Sequence, residues 1–195
     1  FLQALRDLST DAGACLIFDE VQVGLGRTGK FFAHEHYGVT PDLMALAKPL
    51  GGGFPIGAAC VTDAVAEAIQ PGEHASTFGA NPAICAAGVV VLQQILSPGF
   101  LENVTEVGNF IREEIRKAAQ DLPGIKDVRG LGQLTGVEIA PKAGDVVTEG
   151  FKNGLILGVA GDNVLRFAPP LIMEKTHAEA VIAALLPILE NLCAR

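Results

Sequence analysis

Two apolar runs end in opposite charges, and this pairing constrains the chain more than any other feature. Cys15-Leu16-Ile17-Phe18 runs into Asp19. Leu43-Met44-Ala45-Leu46-Ala47 runs into Lys48, and Gly51-Gly52-Gly53 follows closely. Short apolar runs bounded by turn residues predict buried strands. Asp19 alone reads as a cap or an arginine partner, and Lys48 alone as a solvated lysine. Together, beside glycine-rich backbone that a flat molecule can approach, they are the parts that hold a cationic heterocycle and bond it covalently. A buried carboxylate at Asp19 would keep a ring nitrogen protonated.

The rest of the composition narrows the class. With 195 residues, of which 49% are hydrophobic and 18% charged, the chain has material for a real core and lacks the signature of disorder. The net charge of −8 disfavours non-specific binding to nucleic acid or to anionic membrane. No apolar run reaches the ~18 residues of a spanning helix. Cys15, Cys60, Cys85 and Cys193 are far apart and sit among apolar residues, which predicts reduced, buried thiols. The sequence opens at Phe1 inside a helical pattern, so it is expected to be the later part of a longer chain.

Read in order, the spacing predicts a helix over 1–11, strands at 15–18, 43–47 and 56–61, and a short helix to Ile69. Pro82 opens a helix to Leu96 that is apolar nearly all round and is therefore expected to be buried. After Ser97-Pro98-Gly99, a long helix carries one stripe of Val104, Val107, Ile111 and Ile115. Strands are expected at 125–129 and 131–139, joined at Gly130, then a helix at 145–152 and strands at 155–159 and 164–168. Thr176 is placed to cap a last helix running to Cys193 despite Pro187. The fold class is α/β. Residues 1–97 are expected in a large domain with a mostly parallel sheet, and 98–195 in a small α+β domain.

Three other motifs fall short of the sites they imitate. Gly24-Leu25-Gly26-Arg27-Thr28-Gly29 spells GxGxxG, but it neither follows a strand directly nor opens an amphipathic helix, as a dinucleotide site requires. Gly24 to Lys30 approaches a P-loop, yet Phe31 stands where the Mg²⁺-binding hydroxyl belongs. His34-x-His36 lacks an obvious third metal ligand, so no metal is expected.

The set Phe18-Asp19-Glu20-Val21-Gln22, Gly24-x-Gly26-Arg27-Thr28-Gly29, Ala47-Lys48-Pro49-Leu50-Gly51-Gly52-Gly53-x-Pro55-Ile56-Gly57, Ser76-Thr77-Phe78-Gly79-x-Asn81-Pro82 and Leu165-Arg166-Phe167-x-Pro169-Pro170 resembles the class III pyridoxal-phosphate-dependent aminotransferases. The resemblance runs the whole length and covers the C-terminal half of such an enzyme. It implies fold type I, with the end of the large cofactor domain followed by the small C-terminal domain. It implies pyridoxal 5'-phosphate bonded to Lys48, with Asp19 on the pyridine nitrogen, Val21 packed on the ring and Gln22 near the ring hydroxyl. Glu20 is grouped with these cofactor-binding residues.

In the resembling family, Thr77 reaches the cofactor phosphate of a neighbouring subunit in a homodimer, Ser76 lies near the substrate, and Arg166 takes a substrate carboxylate. The implied reaction moves an ω-amino group, from N-acetylornithine or alternatively ornithine or 4-aminobutyrate, to 2-oxoglutarate. The compartment expected is the cytoplasm, or an organelle in a eukaryote. The phosphate cup, the aromatic stacked on the ring and the arginine for the donor's α-carboxylate would lie upstream of Phe1. A non-catalytic assembly partner is the alternative from another class; the pairing of Asp19 with Lys48 argues against it.

Overall fold

A computed structural model describes residues 1–194, which form two compact units. The first comprises Phe1–Gly26 and Lys30–Phe100, and the second Arg27–Gly29 and, of the described residues, 101–194.

In the first unit, α1 (Leu2–Asp11) is followed by β1 (Ile17–Asp19), β2 (Leu43–Leu46) and β3 (Ala58–Val61). The strand order is β1-β2-β3, with β1 parallel to β2 and β3 antiparallel to it. Asp42 ties the unit together: its Oδ2 accepts from Leu16 N at 2.7 Å and from Arg6 Nη1 at 2.8 Å. The helices α2 (Asp63–Ala68) and α3 (Pro82–Ile95) follow. Asn81 caps α3, its Oδ1 accepting from Ala83 N at 3.1 Å, and Pro82 supplies a preset φ in the first turn.

Several expectations for this unit are corrected. α3 forms where its pattern places it, but only Gly88 and Ile95 are buried, and Val89 and Val90 are exposed. Burial needs covering elements as well as an apolar surface, and within this chain the turn Lys48–Gly51 is the element packed most against α3. There Gly88 comes close beneath the Leu50 carbonyl, which a Cβ would approach to 3.3 Å. Likewise Cys15 and Cys60 are exposed and Cys85 is half-buried; all four cysteines are free. The short run Leu155–Leu157 in the other unit is not strand either, because Leu155 N turns back to the Gly150 carbonyl at 2.8 Å.

The second unit is built on a four-stranded antiparallel sheet in the order β4 (Ile125–Leu131), β5 (Leu134–Ile139), β7 (Val164–Phe167) and β6 (Gly158–Ala160). Three helices pack their apolar residues with it: α4 (Phe100–Ala119), α5 (Ala143–Lys152) and α6 (Lys175–Cys193). The expected stripe of α4, Val104, Val107, Ile111 and Ile115, is buried throughout. Val107, Ile111 and Ile115 share one core with Val137, Leu165, Leu185 and Cys193. α6 continues through Pro187, and it starts one residue before Thr176. Among the described residues α6 is the helix long and apolar enough by composition to cross a membrane. Here it buries Ala178, Ile182, Leu185 and Leu189 in the core.

The β4–β5 connection also differs from the expectation. Gly130 lies inside β4, opposite Thr135, and the turn falls at Gly132-Gln133. A side chain at Gly130 would meet the Leu134 carbonyl at 2.1 Å, so the glycine serves close strand approach, while Gly132 supplies the left-handed turn at φ +51°. Arg112, buried on α4, secures this turn by donating to the Gly132 carbonyl at 2.7 Å and to Thr135 Oγ1 at 3.0 Å. Burial lowers its guanidinium pKa, and the neighbouring Arg116 adds to that.

Candidate active site

The parallel pairing of β1 with β2 sets the geometry of the first unit's site. The register is Ile17↔Leu43, Phe18↔Met44 and Asp19↔Ala45. Asp19 therefore ends β1 one residue before the end of β2, and Lys48 stands just beyond that end. Both lie at the C-terminal edge of the parallel pair, the edge at which open α/β sheets bind ligands. Asp19 Oδ1 accepts from Val21 N at 2.9 Å, which fixes the turn after the strand. Both Asp19 and Lys48 are exposed, so the buried carboxylate expected at Asp19 is not what this chain presents. Lys48 opens a short 3-10 turn, Lys48–Gly51, with φ of +38°. A non-glycine residue in that region is strained, and such strain gathers at functional positions.

The three glycines have different reasons from the one expected. A Cβ on Gly51 would meet Ile56 Cγ2 at 2.7 Å, and Gly52 adopts φ +59°. Gly53 alone faces open space.

Glu20 is corrected more firmly. It is 4% exposed, and its carboxylate is already engaged. Oε1 accepts from His34 N at 2.9 Å and contacts His34 Nδ1 at 3.0 Å, while Oε2 accepts from Ala33 N at 2.8 Å. Glu20 thus serves as a structural post for the turn Ala33–His36, and it holds His34. Among the described residues no group of three or more His, Cys, Asp or Glu side chains is placed to hold a metal ion. Val21 is half-buried and Gln22 exposed. Ser76 and Thr77 are exposed on the irregular stretch before α3, and Ser76 borders a recess of about 220 Å³ with Pro55, Ile56 and Asn81.

The second unit carries its own recess, of about 600 Å³, in which Arg166 is the single charged lining residue. Arg166 lies on β7 opposite Gly136 of β5 and Gly158 of β6. Leu165 and Phe167 point into the core, so strand alternation turns Arg166 to the other face. Its guanidinium makes no hydrogen bond or ion pair among the described residues. Leu155, Ile156, Leu157, Pro169, Pro170 and Met173 supply apolar walls.

The sequence profile described as aminotransferase class-III matches residues 1–189. The chain belongs to the class III aminotransferases. It is 44% identical over 188 residues to an acetylornithine aminotransferase of Methanocaldococcus jannaschii, covering 95% of this chain and 46% of that protein. It superposes with TM-score 0.91 and 31% identity on the acetylornithine aminotransferase of Elizabethkingia anophelis, covering 98% of this chain and 49% of that one. The ornithine aminotransferase of Toxoplasma gondii, crystallised with oxidised glutathione and carrying PLP at partial occupancy in its active site, gives TM-score 0.92 at 32% identity, over 98% of this chain and 46% of that one. The chain spans about half the length of the curated relatives it matches.

Within this class III chain, Asp19 and Lys48 meet at one strand edge, Ser76 and Thr77 share the approach to α3, and Arg166 stands in the second unit's recess. Sequence reasoning missed the Glu20–His34 post. The signal for it was a carboxylate directly after the strand, followed within one loop by a histidine. Arg27, read both as part of an imperfect nucleotide motif and as part of the resembling set but given no role, donates from Nη1 to the carbonyls of Pro169 and Gln133.

Proposed function

We propose that this chain forms the C-terminal half of a pyridoxal-phosphate-dependent aminotransferase that moves the ω-amino group of N-acetylornithine to 2-oxoglutarate. The observation that carries the reading is the placement of Asp19 and Lys48 at one C-terminal edge of the parallel pair β1–β2. The donor set fits the group: a primary amine for an aldehyde, a carboxylate for a pyridine nitrogen, and backbone at Gly53 that faces open space. When bound, pyridoxal phosphate supplies an electron sink for the carbon that carries the amino group.

The chain's residues divide the remaining work. Lys48 would hold the group covalently, and its amine would move the proton off and onto the reacting carbon. Asp19 would hold the proton on the ring nitrogen by charge, and Val21 and Gln22 would help to hold the ring. Thr77 of one subunit reaches the phosphate bound by the other in a homodimer, with Ser76 near the substrate. Arg166 presents a planar fork that suits a carboxylate of 2-oxoglutarate. Products are the semialdehyde of the donor and glutamate, which places the enzyme in arginine biosynthesis.

Ornithine is the second donor reading, supported by the ornithine aminotransferases among the solved structures it resembles. Assay of the full-length protein with N-acetylornithine, ornithine and 4-aminobutyrate in parallel decides. The highest kcat/KM is expected for N-acetylornithine, and a preference for either other amine overturns the donor assignment. Absence of glutamate formation from 2-oxoglutarate with all three overturns the reaction.

A further inference from the structure

We propose that Arg27 is a positioning residue for the carboxylate recess: with Asn103 and Gln133 it holds in place the proline-rich wall that faces Arg166. The proposal rests on Arg166 binding a substrate carboxylate.

β7 ends at Phe167, and the wall that follows, Ala168-Pro169-Pro170, has left the sheet. Its prolines have no N–H, so two of its residues cannot be fastened by backbone donors of their own. Side chains fasten it through its carbonyls instead. Arg27 Nη1 donates to the Pro169 carbonyl at 2.6 Å and to the Gln133 carbonyl at 3.1 Å. Further along, Met173 N donates to the Pro170 carbonyl at 3.0 Å. The Met173 carbonyl in turn accepts from Asn103 Nδ2 at 3.0 Å and Gln133 Nε2 at 3.4 Å. Pro169, Pro170 and Met173 all line the recess that holds Arg166.

Arg27 is itself clamped. Gln133 N donates to the Arg27 carbonyl at 3.1 Å. Gly132 packs so closely that a Cβ there would stand 2.5 Å from that carbonyl oxygen and from the Thr28 carbonyl carbon. A cation held this way without a carboxylate partner is costly unless its hydrogen bonds matter. Burial lowers the Arg27 pKa, and no acidic side chain pairs with it among the described residues. A single nitrogen, Nη1, reaches both carbonyls, which belong to different segments. The stretch that imitates a nucleotide loop is on this account the strap behind the carboxylate recess. Small displacements of a binding wall are costly in affinity and rate.

The test uses the full-length enzyme and calorimetric binding of glutarate, a dicarboxylate that cannot react, alongside thermal melting. Arg27→Gln is expected to weaken glutarate about tenfold, and Arg27→Lys, which keeps one charged donor, to recover to within about threefold of wild type. Wild-type glutarate affinity in Arg27→Gln overturns the proposal. So does an equal loss in both variants with equally lowered melting temperatures, which is the mark of a merely structural residue. If Arg27→Gln does not fold, Asn103→Ala decides: weakening by about threefold supports the wall's role, and unchanged affinity overturns it. Arg166→Lys is the control for the underlying reading. If it leaves glutarate binding intact, the carboxylate assignment fails and the proposal with it. If it abolishes binding while Arg27→Gln does not, only the proposal fails.

Discussion

The guanidinium of Arg166 lies across Gly158. A Cβ on that glycine would stand 3.6 Å from Nε and 3.7 Å from Nη2, as well as 3.3 Å from the Arg166 carbonyl oxygen. A Cβ alone would be in ordinary contact with the guanidinium, so bulk beyond it would press on the arginine. Gly158→Val should therefore displace the guanidinium and weaken glutarate binding to the full-length enzyme by about tenfold, roughly 1.4 kcal/mol. Calorimetry measures it, and unchanged affinity would show that Arg166 does not need the space over Gly158.

Lys48 should be the covalent anchor. Borohydride reduction of the cofactor-loaded full-length protein, followed by peptide mapping, should label Lys48 and no other lysine, and Lys48→Ala should remove the label. Label on Lys30 or Lys175 would contradict the assignment. The φ of +38° adds a separate expectation. Lys48→Gly should be more stable than Lys48→Ala by about 1 kcal/mol, since glycine tolerates that backbone conformation and alanine does not.

Asp19→Asn should retain cofactor but slow turnover at least about a hundredfold, near 2.7 kcal/mol of barrier, because an amide cannot hold a pyridinium by charge. Single-turnover kinetics with N-acetylornithine measure this. A variant turning over near the wild-type rate would remove Asp19 from the chemistry.

Glu20→Gln should destabilise the chain by about 2 kcal/mol, because an amide NH₂ would face a backbone N–H that now meets a carboxylate oxygen. The donors concerned are Ala33 N and His34 N. Urea unfolding followed by circular dichroism gives the difference. A variant as stable as wild type would show that Glu20 does not hold this turn.

Asp42 sets an acid limb to stability. The Leu16 N–H, and then Arg6, lower its carboxyl pKa in the fold. A depressed folded pKa contributes stability that is present above the unfolded value of about 3.9 and is lost as pH falls through the lower folded value. Asp42→Ala should flatten the dependence of the urea midpoint on pH in that window. An unchanged slope between about pH 5 and pH 2 would assign the acid sensitivity elsewhere.

The sequence by itself determined the local elements and which charged residues stand at the strand ends. Apolar runs before Asp19 and Lys48 specified where strands stop, and the stripe on α4 specified its inward face, because periodicity and turn residues are local properties. Only tertiary structure decided what each polar side chain faces. Glu20 and Asp19 are adjacent in sequence, yet one is buried on backbone donors and the other exposed, since successive strand-end residues point to opposite sides. Arg27 and Pro169 are 142 residues apart, and no local pattern announces their hydrogen bond. The exposure of α3 follows the same rule: its composition states what its surface prefers, while burial depends on which other elements pack against it.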